Sequence, residues 1–436
     1  GDIVTNSNLN FEGKIGTSIA ALNQIKIADS STFTANQDVY TTSVYFGDTD
    51  STLVLAGADN TTSIVDVIDP AHANSQGILQ FTASGTNTVK ATFGTEDNSF
   101  AQLDALSESG TLVFDSESGT QYFTAVKLAA NTGTTLVFDG GANIHDQLTF
   151  TDNDQVVEFG ANTTLTNGVD FNGTKGTITL DASLGNATLE GAITTSANTT
   201  SGVLNVNSSA ANTFTINDAL GNSDTQRLSS VSVNGAASAV FASDVYAQDV
   251  NFNGTGSATF DGKLNADDVS VGSTFSSVTF NDNVTATITT HGPAIKLASG
   301  KEIDGTIDGN ADNTGSLVLL GDGSLLKAVG NIHSLSSITT AANSTATFDK
   351  SVDTKTLNFK GDVVFNDEAN ITDTVNFTAD AQSMTVKANS TFDSNFAGKN
   401  STIIFDATAD DLAFNGDITT TINNTGTIVL QGAHQV

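Results

Sequence analysis

The chain has 436 residues, no cysteine, no tryptophan, two prolines and a formal charge of −33 from 48 acidic and 15 basic side chains. The absence of cysteine excludes disulfide staples, thiolate metal sites and a cysteine nucleophile. The acidity opposes counterion-driven binding to nucleic acid and direct adsorption to anionic lipid.

Along the chain, period-2 alternation of apolar and polar residues dominates, and helical faces are nearly missing. The start, Gly1-Asp2-Ile3-Val4, has neither a basic region nor an apolar leader, so an internal or processed piece of a longer precursor is expected. A first apolar block follows at Leu22, Ile25, Val39, Val44 and Phe46. Residues 56–77 contain Pro70 and read as an excursion from regular structure. Between Leu136 and Leu180 the strands become clear: Leu136-Val137-Phe138, Leu148-Thr149-Phe150, Val157-Glu158-Phe159, Val169-Asp170-Phe171 and Ile178-Thr179-Leu180. A second block, Leu228, Val231, Val245, Val250 and Phe252, repeats the first at offsets 0, 3, 17, 22 and 24. Residues 289–313 contain Pro293 and read as a second excursion, a place where a repeat protein carries binding loops. The third block is Leu335, Ile338, Val352, Leu357 and Phe359. No apolar run approaches the roughly 18–20 residues of a membrane-spanning helix.

Self-similarity of this kind signals a repeat architecture. Phe138, Phe159 and Leu180 are 21 residues apart, as are Phe150 and Phe171, and the interval returns between Phe365 and Val386. A coil of that length places like residues above one another, so stacking creates the core that a single coil lacks. The expected fold is an all-β, right-handed parallel β-helix of roughly 20 coils, forming one elongated domain over residues 1–436. Tandem β-sandwiches share the strand spacing but bring a core tryptophan, more proline and clear module boundaries.

Few residues suggest chemistry. The acid pairs Asp48/Asp50, Asp152/Asp154, Asp267/Asp268 and Asp410/Asp411 could contribute oxygens to calcium. The tandem glycine-aspartate motif of a calcium β-roll is missing, however, so they read as solvated turn residues and metal binding stays unassigned. His72, His145, His291, His333 and His434 never share metal-ligand spacing. Some β-helical polysaccharide lyases rely on a basic residue, and Arg227 is the one arginine here. Without tryptophan, and with 26 phenylalanines mostly at alternating positions, aromatic sugar platforms are lacking. Neither catalytic residues nor a cofactor are expected.

Three segments carry a family resemblance. Gly16-Thr17-Ser18-Ile19-Ala20-Ala21-Leu22-Asn23-Gln24-Ile25, Ser238-Ala239-Val240-Phe241 continuing to Phe252, and Val329-Gly330-Asn331-Ile332-His333-Ser334-Leu335 resemble the passenger domains of rickettsial surface cell antigens, which are type V autotransporters. The resemblance implies export through the periplasm, a C-terminal β-barrel elsewhere in the precursor, and display on the outer membrane's extracellular face. It further implies an adhesin that binds a host-cell surface protein and promotes attachment and invasion. A surface coat of laterally self-associating molecules is the alternative, and a polysaccharide-cleaving enzyme a lesser one. The matching positions are structural repeats, so no binding residue is carried over.

Overall fold

The computed structural model describes residues 1–68, 77–115, 117, 119–129, 133–197, 200–397, 399–408, 411–423, 425–432 and 436. No α-helix occurs among them, and the strands pair in parallel except for isolated antiparallel bridges at Thr17–Ala20 and Ser223–Gln226. The chain is a right-handed parallel β-helix of about 19 turns, divided into two units. The first comprises Gly1–Val231 with Ala236–Ser238, the second Ser232–Gly235 with Ala239–Val436.

Between Thr135 and Thr194 a coil of the first unit has three short strands separated by corners, as in Thr135–Phe138, Ala142–Ile144 and Leu148–Thr149. Earlier coils join two faces in one longer strand, as in Val39–Phe46 and Gln121–Leu128. Alternation turns every second side chain inward. Leu112, Leu136, Val157, Ile178 and Leu204 stand opposite one another in five successive coils, all fully buried. Two residues further on, Phe114, Phe138, Phe159, Leu180 and Val206 form a second column. The Phe114 and Phe138 rings stack 5.1 Å apart with their planes nearly parallel at 2°, and Phe138 and Phe159 5.6 Å apart at 13°. Such pairs contribute roughly 0.5–1.5 kcal/mol each beyond area burial.

In the second unit two faces of a coil often belong to one bent strand. Val245–Phe252 and Leu264–Val271 are inward at both ends and exposed at the bend, at Gln248 and at Asp267 and Asp268. Val250, Val269, Ile288 and Ile307 form one column. Phe348, Phe365, Val386 and Phe405 form another.

The 21-residue interval holds where it was read, since Phe138 pairs with Phe159, Phe159 with Leu180, and Phe365 with Val386. It is not constant. Phe280 stands opposite Leu297, an interval of 17, while Leu189 stands opposite Ile216, an interval of 27. Inward residues fix the register and corners absorb the difference.

The excursion expected at 289–313 needs correction, and the one at 56–77 needs it as far as Ile68. Within 56–77, Thr61–Ile68 is a ladder strand between Val39–Phe46 and Thr86–Lys90; Pro70 and His72 lie outside the described residues. Residues 289–313 are regular coil, with Ala294–Leu297, Lys301–Ile303 and Ile307–Gly309 all paired. Pro293 occupies the corner just before Ala294, where no ladder donor is needed, and the Thr290 hydroxyl donates to its carbonyl at 3.0 Å.

Candidate functional site: corner tongues and a polar cleft

What interrupts the coils is a short tongue pushed out of a corner, and it recurs. Each begins with a buried apolar residue followed by a glycine of positive φ: Ile15-Gly16 (65°), Phe93-Gly94 (74°), Leu220-Gly221 (71°) and Val329-Gly330 (72°). The chain re-enters the coil at Leu22, Phe100, Leu228 and Leu335. Ile15 bridges to Val39 while Leu22 pairs with Thr41, so seven residues do what two do in the next coil. Val329 and Leu335 stand over Val352 and Thr354 in the same way.

The glycine is required by the close passage of the neighbouring coil. A Cβ on Gly16 would overlap the Tyr40 carbonyl oxygen, and one on Gly94 that of Tyr122. The Tyr40 amide donates to the Ile15 carbonyl at 2.7 Å, the Tyr122 amide to Phe93 at 2.8 Å, and the Asp353 amide to Val329 at 2.8 Å. Beneath the first and fourth tongues a buried threonine turns the corner. Thr41 donates to the Leu22 carbonyl at 3.3 Å and Thr354 to that of Leu335 at 3.1 Å.

Tongue tips reach solvent. Ile19 is 96% exposed and Ile332 72%. Thr17 and Ala20 exchange backbone hydrogen bonds of 3.0 and 3.1 Å, and Thr95 and Asn98 close their tongue likewise at 2.8 and 3.1 Å. In the second unit, His333 Nδ1 lies 3.1 Å from Asp312 and the Ile332 amide donates to Asp308 at 2.9 Å, tying that tongue to the preceding coil.

The Thr95–Asn98 tongue forms one wall of a cleft of about 380 Å³ in the first unit. Asp97, Asn98 and Ser99 line it from the tongue; Thr124 lines it from the strand Gln121–Leu128, and His145, Asp146 and Asn167 from the corners of the next two coils. Backbone and amide contacts hold that floor: Asp146 N donates to Thr124 O, and Asn167 Nδ2 to His145 O, both at 2.7 Å.

The residues singled out from sequence are scattered. Asp48 caps a turn, accepting from the amides of Ser30 and Asp50 at 3.0 and 3.1 Å, and the Ser30 contact leads in holding its carboxyl below the usual range. Asp152 caps Asn153 N at 2.7 Å, Asp267 and Asp268 are exposed at a strand bend, and Asp410 is outside the described residues. Among the described residues no group of three His, Asp or Glu side chains is placed to hold a metal ion. His145 lines the cleft, His291 Nδ1 lies 2.9 Å from the Val271 carbonyl, and His434 lies outside the described residues. Arg227 sits in the third tongue, its Nε donating to the Asp224 carbonyl at 2.7 Å.

Carboxylates also gather on one outer face of the first unit. Burial, then Asp181 and Asp139, pushes the Glu158 carboxyl up, and burial, then Asp115 and Asp181, does the same to Asp139. Sequence reasoning missed the tongues and the cleft. The signal available was an apolar-glycine pair followed six to eight residues later by Leu or Phe.

No family model matches the chain, and neither the curated proteins nor the solved structures yield a match.

Proposed function

We propose that the chain is a surface-displayed autotransporter passenger acting as an adhesin for a host-cell surface protein. The observation that carries this reading is the corner tongue: loops with exposed tips are inserted while the ladder beneath them keeps its register. A scaffold that tolerates such insertions presents binding segments without altering its core. Many copies on one cell convert weak individual contacts into firm attachment. Export as an unfolded chain suits a sequence without cysteine.

The test is binding of the purified chain to host cells, with competition against attachment of the bacteria that display it. Saturable binding and blocked attachment are expected. Neither effect at any soluble concentration would remove the adhesin reading.

A further inference from the structure

We infer that the cleft beside the Thr95–Asn98 tongue binds a guanidinium or ammonium group from a basic segment of a protein partner. The inference rests on the partner-binding reading above and names the chemistry of one contact. The carrying observation is a concave wall built from four separate places in the chain, with the tongue on one side and three stacked coils on the other. The reciprocal Thr95–Asn98 bonds fix the tongue, while the Asp146–Thr124 and Asn167–His145 bonds fix the floor. A guest therefore meets preorganised groups and orders little on binding.

The lining decides what kind of guest fits. It contains two carboxylates, Asp97 and Asp146, and neither lysine nor arginine. Phosphate or sulfate groups are repelled there. No phenylalanine, tyrosine or tryptophan ring lines the cleft, so a sugar ring finds no broad stacking face of the usual kind. A guanidinium offers five donors in a planar fork, which suits carboxylate and amide oxygens spread over such a wall. Field lines converge in a cleft of one charge sign, separating it from the carboxylates of the open surface, those around Asp139 and Glu158 included.

The experiment titrates the whole chain with a short arginine- and lysine-rich peptide at physiological salt. The double variant Asp97→Asn/Asp146→Asn is compared with Asp267→Asn/Asp268→Asn, which removes the same charge from an exposed bend in the second unit. Affinity is expected to fall about tenfold or more in the cleft variant and less than about twofold in the control. Equal losses would reduce the effect to overall acidity and overturn the proposal, as would an unchanged cleft variant. Tighter binding of a neutral oligosaccharide than of the peptide, lost in the cleft variant, would also overturn it. Host-cell binding by both wild type and cleft variant sinks the cleft alone; peptide discrimination without any cell binding sinks the adhesin reading alone.

Discussion

Tyr40 crosses directly over Gly16, its amide bonded to the preceding Ile15 carbonyl and its own carbonyl filling the space a Gly16 side chain would need. One contact thus binds two coils together and opens the corner from which the first tongue leaves. Its counterparts at Gly94 and Tyr122, and at Gly330 and Asp353, make it a local rule of this chain.

Gly16→Ala tests that rule against Gly119→Ala. Gly119 has a similar φ, 70°, but nothing within 4 Å of an added Cβ. Its replacement is expected to cost about 1–2 kcal/mol from backbone strain alone. Gly16→Ala must also displace the Tyr40 carbonyl, so its loss in chemical denaturation is expected to be clearly larger. Equal losses would show that the crossing is loose.

Phe159 is fully buried and stacked on Phe138. Phe159→Ala is expected to lower unfolding free energy by about 3–5 kcal/mol. Phe159→Asp is expected to do more damage, because it places an unpaired carboxylate in the column. Unchanged thermal unfolding of the aspartate variant would contradict the stacked core.

Gln155, also fully buried, ties a corner together from both ends of its amide. Its Oε1 accepts from the Thr151 and Asp152 amides at 2.8 and 3.1 Å, and its Nε2 donates to the Ala129 carbonyl at 2.8 Å. Gln155→Leu keeps the bulk but strands these backbone groups, at about 1–3 kcal/mol for each one left unsatisfied. Faster amide exchange at Thr151 and Asp152 should accompany the loss. Retained protection there would mean other groups replace the glutamine.

Glu158 and Asp282 should give opposite pH responses. Burial raises the Glu158 carboxyl above its ordinary 4.5, so the folded state holds that proton more tightly than the unfolded one. Its contribution is present below pH 4.5 and is lost as pH rises through the raised value. Glu158→Gln should therefore stabilise at neutral pH and lose that advantage in acid. Asp282 is held below its ordinary 3.8, first by the Lys301 hydrogen bond and then by the Asn283 amide. Its contribution is present above 3.8 and lost as pH falls through the lowered value, so Asp282→Asn should destabilise at neutral pH and converge with wild type in strong acid. Parallel pH profiles for the two variants would contradict both assignments.

Much of the architecture was legible because inward positions repeat. The three apolar blocks resolve into a strand end after a tongue or corner and the following bent strand: Ile25 pairs with Val44 and Ile338 with Leu357. Leu22 is the member left partly exposed, at the mouth of its tongue. The excursion expected around Pro293 failed because proline interrupts a strand but not a corner. The tongues were hard to read because a glycine held at positive φ by another coil looks, in sequence, like any of the other 38. The cleft escaped because its walls come from residues 97, 124, 146 and 167, brought together only by stacking.

The difference between seven residues from Ile15 to Leu22 and two from Val39 to Thr41 has a practical side. For a flexible loop, each doubling of length adds only about 0.6 kcal/mol of closure entropy. The segment between Gly16 and Leu22 is thus a natural grafting port, where a foreign epitope replacing Ser18 and Ile19 would be carried outward by a ladder that does not register its length.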